Sequence, residues 1–103
     1  MNKIIFGKLG EIAEICRKWK VSRLHLFGSA TREDFNPSRS DLDFLVEFNH
    51  MAPAQYVGCY FGLSDDLENL LGLKVDLVEA KAITNPYFLQ SVEETRVVLY
   101  DAA

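Results

Sequence analysis

A chain of 103 residues with 49% apolar, 25% charged and 12% aromatic side chains is read as one globular domain, residues 1–103, too short for a second core or a large enclosed substrate cavity. Eleven Lys and Arg against 15 Asp and Glu leave a formal charge of −4, which argues against a nucleic-acid partner. No run approaches the ~18 apolar residues of a membrane span, the start MNKIIFGK is too short for a signal core, and Cys16 and Cys59 show no CxxC spacing, so a soluble chain in a reducing cytoplasm is expected.

Between Lys8 and Lys20 the apolar Leu9, Ile12, Ala13, Cys16 and Trp19 recur at helical spacing, with Glu11, Glu14, Arg17 and Lys18 on the other side, which predicts an amphipathic helix. From Arg23 the segment RLHLFGS reads as a strand broken at Gly28-Ser29. Residues 30–40, ATREDFNPSRS, are polar and contain Pro37, so a loop is expected there, with room for a helical turn at its start. DLDFLVEF over 41–48 alternates, putting Leu42, Phe44, Val46 and Phe48 on one strand face and Asp41, Asp43, Leu45 and Glu47 on the other.

From residue 53 to 71, Tyr56, Tyr60, Leu63, Leu67 and Leu70 fall on one helical stripe, and Gly72 stands where a helix C-cap belongs. KVDLVE over 74–79 is a short strand, Asn85-Pro86 offers an N-cap and a first-turn proline for a helix to about residue 94, and RVVLY closes the chain as a strand. The order helix, strand, strand, helix, strand, helix, strand predicts an α/β (α+β) domain, a small mixed sheet of about four strands with helices packed against it. His25 is expected in the core or on a sheet face, Trp19 in the core, and Cys16 and Cys59 as small hydrophobes. Asp65, Asp66 and Glu68 are expected on a solvated helix face.

Three features carry chemistry: the Gly28-Ser29 turn, the pair Asp41-x-Asp43, and Asp76 inside an apolar strand. Each alone has an ordinary structural explanation. Two like charges on one strand face repel, however, and a divalent cation is one remedy. Mg²⁺ takes oxygen ligands and is commonly held by one or two carboxylates together with substrate phosphates. An aspartate buried in an apolar strand needs a partner, and Lys74 is one; if the two strands are neighbours, Asp76 instead joins Asp41 and Asp43 in a triad of carboxylates. Three carboxylates together suit two metal ions and in-line phosphoryl displacement. The Gly28-Ser29 turn would then offer N–H groups and a hydroxyl to phosphates.

Phe27-Gly28-Ser29, the strand opening Asp41-Leu42-Asp43 with its continuation Phe44-Leu45-Val46, the strand Val75-Asp76-Leu77-Val78, and the terminal VVLYDA together resemble the minimal nucleotidyltransferases of the polymerase-beta-type superfamily. The resemblance spans nearly the whole chain. It implies that Gly28 and Ser29 contact nucleotide phosphates and that Asp41 and Asp43 bind two Mg²⁺ ions, with Asp76 completing the metal site and helping to activate the acceptor hydroxyl. It implies ATP as substrate, and Arg32 and Arg39 as candidate phosphate contacts. Two departures stand out. Eleven residues separate Ser29 from Asp41, one more than is common in the family, and Ala30 occupies a position where arginine is common.

Family members of this size resemble antitoxins of toxin-antitoxin modules, partnered by HEPN-domain toxins, and some transfer AMP to a tyrosine of the toxin. The expectation is therefore a protein adenylyltransferase whose partner is a HEPN toxin, with no direct nucleic-acid or membrane contact and oligomeric state left open. The alternatives are a non-catalytic antitoxin that occludes its partner, suggested by Tyr56, Val57, Tyr60 and Phe61 spreading wider than one core stripe, or transfer to a small molecule with the help of a partner subunit. A HAD-type phosphatase also uses DxD but needs a longer chain and ranks last.

Overall fold

The computed structural model describes residues 3–32, 36 and 41–102. The chain runs α1 (Lys3–Phe6), α2 (Leu9–Lys18), β1 (Val21–Phe27), a 3-10 turn (Gly28–Thr31), β2 (Leu42–Phe48), α3 (Pro53–Leu71), β3 (Val75–Glu79), a second 3-10 turn (Ala80–Ala82), α4 (Pro86–Thr95) and β4 (Val97–Asp101). Among the described residues four strands form one mixed sheet in the order β3-β2-β1-β4. β1 is antiparallel to both β2 and β4, while β2 and β3 are parallel and joined through α3. A parallel pair requires such a crossover, and the long amphipathic segment supplies it.

The alternation in DLDFLVEF sorts residues onto the two faces as expected. Leu42, Phe44 and Val46 are fully buried, with Leu24 and Leu26 of β1, against Ile12 and Cys16 of α2 and Leu63 and Leu67 of α3. The opposite face carries a smaller cluster in which Phe27 and Leu45 meet Val92 of α4, with Val78, Ala80 and Ile83 at its border. Helices thus cover both faces, one fully and the other in part. His25, on the lesser-covered face, is 7% exposed, a sheet-face histidine whose imidazole is pushed below its usual value chiefly by burial. Cys16 and Cys59 are buried hydrophobes, and burial pushes the Cys16 thiol up to about 12.

The ends of the helices follow local chemistry. Gly72 closes α3 at φ +69° and donates its N–H to the Glu68 carbonyl at 2.8 Å, a left-handed cap that glycine adopts without a Cβ penalty. Asn85 Oδ1 accepts from the amides of Tyr87 (2.9 Å) and Phe88 (3.3 Å) at the start of α4, with Pro86 at the first helical position.

Four expectations are corrected. A short additional helix, α1, precedes the predicted one and buries Ile5; four residues are too few to show periodicity. Trp19 is only half-buried at the edge of the core, with its indole Nε1 donating to Asp66 Oδ2 at 2.7 Å while Lys18 Nζ reaches the same oxygen at 3.1 Å. Asp66 is therefore a clamp between α2 and α3, held below the usual carboxylate range first by the Trp19 bond and then by Lys18. Glu68 likewise departs from a merely solvated face, accepting the Val75 amide at 2.9 Å. The two glycines of α3 also differ. A Cβ on Gly62 would run into the Trp19 ring, whereas one on Gly58 meets nothing within 4 Å.

That contrast is measurable. Gly62→Ala drives a methyl into a ring that the Asp66 bond prevents from swinging away, and is expected to cost about 1–3 kcal/mol. Gly58→Ala in the same helix is expected to stabilise by about 0.5–1 kcal/mol through helix propensity. Urea midpoints of the two variants check this, and equal shifts would contradict the packing described.

Candidate active site

The register of the parallel pair decides what the carboxylates can do. Asp43 on β2 stands opposite Asp76 on β3, and paired residues of neighbouring strands project on the same face. The Leu42 amide donates to the Lys74 carbonyl at 2.9 Å, fixing where the two strands begin to pair. Asp41, exposed, directly precedes this point, two residues from Asp43 and on the same side of the chain. On the other side of β2, Asp43 pairs with Phe27, the last residue of β1.

The chain then turns at Gly28. Its φ is +72°, and a Cβ placed there would lie 2.9 Å from Asp43 Oδ2, so both backbone conformation and proximity to the carboxylate require glycine. The Gly28 amide donates to Thr95 Oγ1 of α4 at 3.0 Å. Within the turn, Thr31 Oγ1 donates to the Gly28 carbonyl at 2.7 Å and the Arg32 amide to the Ser29 carbonyl at 3.1 Å. Ala30 is fully buried, which explains a small apolar residue where the family resemblance led one to look for arginine. Ser29 is half-buried and Arg32 exposed at the rim. Arg39 lies outside the described residues.

The charge distribution follows from this packing. The Asp43 carboxyl is raised above the usual aspartate range, first by burial, then by Asp76 and then by Asp41. Asp76 itself is exposed rather than buried in its strand, because β3 is an edge strand whose outer face is only partly covered. The expected need for an internal partner therefore lapses, and Lys74 forms no ion pair with it among the described residues. Also among the described residues, no three His, Cys, Asp or Glu side chains are already gathered as a metal-ligand set. What the fold provides is a half-buried carboxylate with two anionic neighbours and a glycine backbone lying on it. Such a cluster of hard oxygen donors, two of them open to solvent, suits Mg²⁺.

The nucleotidyltransferase domain model matches residues 9–99, which takes in β1, β2, β3, the Gly28 turn and the first part of β4. The chain belongs to this family. A Methanocaldococcus jannaschii protein named "Putative protein adenylyltransferase" is 42% identical over 94 residues, covering 84% of this chain and 92% of its own. Among solved structures, a "putative minimal nucleotidyltransferase" superposes with a TM-score of 0.73 at 26% identity, covering 89% of both chains. A tri-AMPylated Shewanella oneidensis HEPN toxin in complex with MNT antitoxin gives a TM-score of 0.62 at 20% identity, covering 94% of this chain and 72% of that one; at that identity the likeness is one of fold. The expected recognition, the mixed α/β architecture and the nucleotidyltransferase class all stand.

In this nucleotidyltransferase the sheet brings Asp43 and Asp76 into register, with Asp41 and Gly28 adjacent, and leaves Arg32 at the margin. Thr95 was not legible beforehand. It is the last residue of a helix some 67 positions away from Gly28, and a threonine at a helix end carries no sequence signal of its own.

Because the folded chain holds the Asp43 proton more tightly than the unfolded chain does, the native state binds more protons between the ordinary aspartate value and the raised one. Stability from this group therefore falls as pH rises through that window. Asp43→Asn is expected to raise the thermal midpoint of the nucleotidyltransferase by roughly 1–5 °C at neutral pH, with the gain vanishing near about pH 3. Added Mg²⁺ is expected to raise the wild-type midpoint and to leave that of Asp43→Asn nearly unchanged. Thermal scans with and without the metal at two pH values check both statements.

Proposed function

We propose that the protein transfers AMP from Mg-ATP to a tyrosine hydroxyl of a partner HEPN toxin and so acts as its antitoxin, working in the cytoplasm. The observation that carries this reading is the Asp43–Asp76 register with Gly28 packed on the Asp43 carboxylate. Support for the acceptor being a protein comes from the name of the archaeal relative and from the AMPylated HEPN toxin found with the fold neighbour. The open sheet face is consistent with it, since a macromolecular acceptor needs no enclosed cavity.

In this scheme Asp41, Asp43 and Asp76 hold two Mg²⁺ ions, whose chemistry is to neutralise the triphosphate and the charge that develops on it. Gly28 and Ser29 contact the phosphates, assisted by Arg32 and Arg39. The acceptor oxygen attacks the α-phosphorus, the bond between that phosphorus and the oxygen bridging to the β-phosphate breaks, and pyrophosphate leaves. Asp76, the exposed carboxylate, takes or directs the acceptor's proton. Positioning and electrostatics do most of the work in such displacements.

A second reading has its own observation. Val57 is 54% exposed and Phe61 is 61% exposed, one turn apart on α3, the wide aromatic spread noted in the sequence. Tyr56 and Tyr60 from the same group turn inward, donating to Glu79 Oε2 at 2.7 Å and to the Leu77 carbonyl at 2.9 Å. An exposed apolar pair of this kind suits an interface, and binding alone could neutralise a partner.

Intact-mass spectrometry of the protein encoded beside this one, after incubation with this chain, ATP and Mg²⁺, separates the two. The expected result is a gain of one or more AMP units with wild type and none with the Asp41→Ala, Asp43→Ala double variant, whose folding circular dichroism verifies. A stable complex with no mass gain, or equal neutralisation by the double variant, would establish occlusion instead.

A further inference from the structure

We propose that Thr95 is a positioning residue for the Gly28-Ser29 turn: its hydroxyl, fixed on the last turn of α4, holds the Gly28 amide and thereby delivers Ser29 to the nucleotide. This rests on the turn being the phosphate contact, as proposed above. The contact itself is the 3.0 Å hydrogen bond from the Gly28 amide to Thr95 Oγ1. The threonine hydroxyl can accept it because its own proton is directed back into the helix, toward the Ser91 carbonyl at 3.1 Å and the Val92 carbonyl at 3.5 Å. Back-bonding of this kind slightly disfavours a helix, so helix propensity gives no reason for threonine here. The bond to Gly28 does.

The support behind Thr95 is rigid. Val92, one turn earlier, is fully buried against Phe27 and Leu45, and Phe88 meets the Phe27 ring edge-on with centroids 6.0 Å apart. Two successive residues of the turn's approach are thus tied to α4, Phe27 through its ring and Gly28 through its amide. Asp43 Oδ2 also approaches Gly28, to within 2.9 Å of where a Cβ would stand. The Gly28 amide is already engaged by the Thr95 hydroxyl, which corrects the simple picture of every amide in the turn pointing at phosphate. Ser29, the next residue of the turn, is half-buried, and in this proposal its hydroxyl is the group the clamped turn presents to the ligand.

Thr95→Val keeps the branched shape and removes the acceptor; Thr95→Ser keeps the acceptor and removes the methyl. Titration calorimetry with Mg-ATP on the isolated chain is expected to show Kd rising about tenfold in Thr95→Val and staying within about twofold of wild type in Thr95→Ser. Hydrogen exchange of the Gly28 amide, followed by NMR, is expected to accelerate in the valine variant alone, a change that a role confined to helix packing would not produce. Circular dichroism verifies folding, and Thr95→Ala takes the place of valine if that variant does not fold. Wild-type affinity in Thr95→Val, or equal loss in Thr95→Val and Thr95→Ser, overturns the assignment to Thr95. Failure of the wild-type chain to bind Mg-ATP overturns the functional reading beneath it.

Discussion

The parallel pairing of β2 with β3 is the constraint from which the rest of the architecture follows. It sets two aspartates side by side, an arrangement that costs free energy through like-charge repulsion and has to be held by contacts elsewhere. Those contacts come from α3, the crossover that parallel pairing demands. Tyr56 and Tyr60 bond to Glu79 and the Leu77 carbonyl, and Glu68 bonds to the Val75 amide. Three polar links along one helix thus secure a five-residue edge strand that would otherwise depend on one neighbour alone. The Tyr56 hydroxyl is pushed up to about 12, first by burial and then by its bond to Glu79, so it remains a neutral donor at any ordinary pH.

The two faces of the sheet divide the work. The face under α2 and α3 is the principal core, where Phe44 and its neighbours are sealed from water. The other face is given partly to α4 and partly to the carboxylate row. Cover of this second face is incomplete, and Asp41 and Asp76 are exposed.

Much of this organisation is legible in the residues themselves. DLDFLVEF announces both a strand and the sidedness of its aspartates, Gly72 marks the end of α3, and Asn85-Pro86 marks the start of α4, because each depends on backbone geometry within a few residues. Long-range relations are less visible. Nothing local says that β3 lies beside β2 rather than at the far edge, although Asp76 has meaning only in that position. Asp66 looks like a solvated charge until Trp19, 47 residues away in sequence, is brought against it. Thr95 is similar, being unremarkable in its helix and informative only beside Gly28. Asp76 misled in another way: apolar neighbours suggested burial, whereas an edge strand can alternate between a covered and an open face.

That edge position has a further consequence for how the protein behaves in concentrated solution. The outer side of β3 offers backbone donors and acceptors that another chain could pair with, the usual route to strand-to-strand self-association. Lys74, just before this strand, and Asp76 within it are exposed, placing charges where an incoming strand would have to desolvate them. Asp76 thus guards the edge whatever its part in the proposed chemistry. Neutralising Asp76 would remove part of that protection, whereas neutralising Asp43, on an interior strand with partners on both sides, leaves the edge as guarded as before.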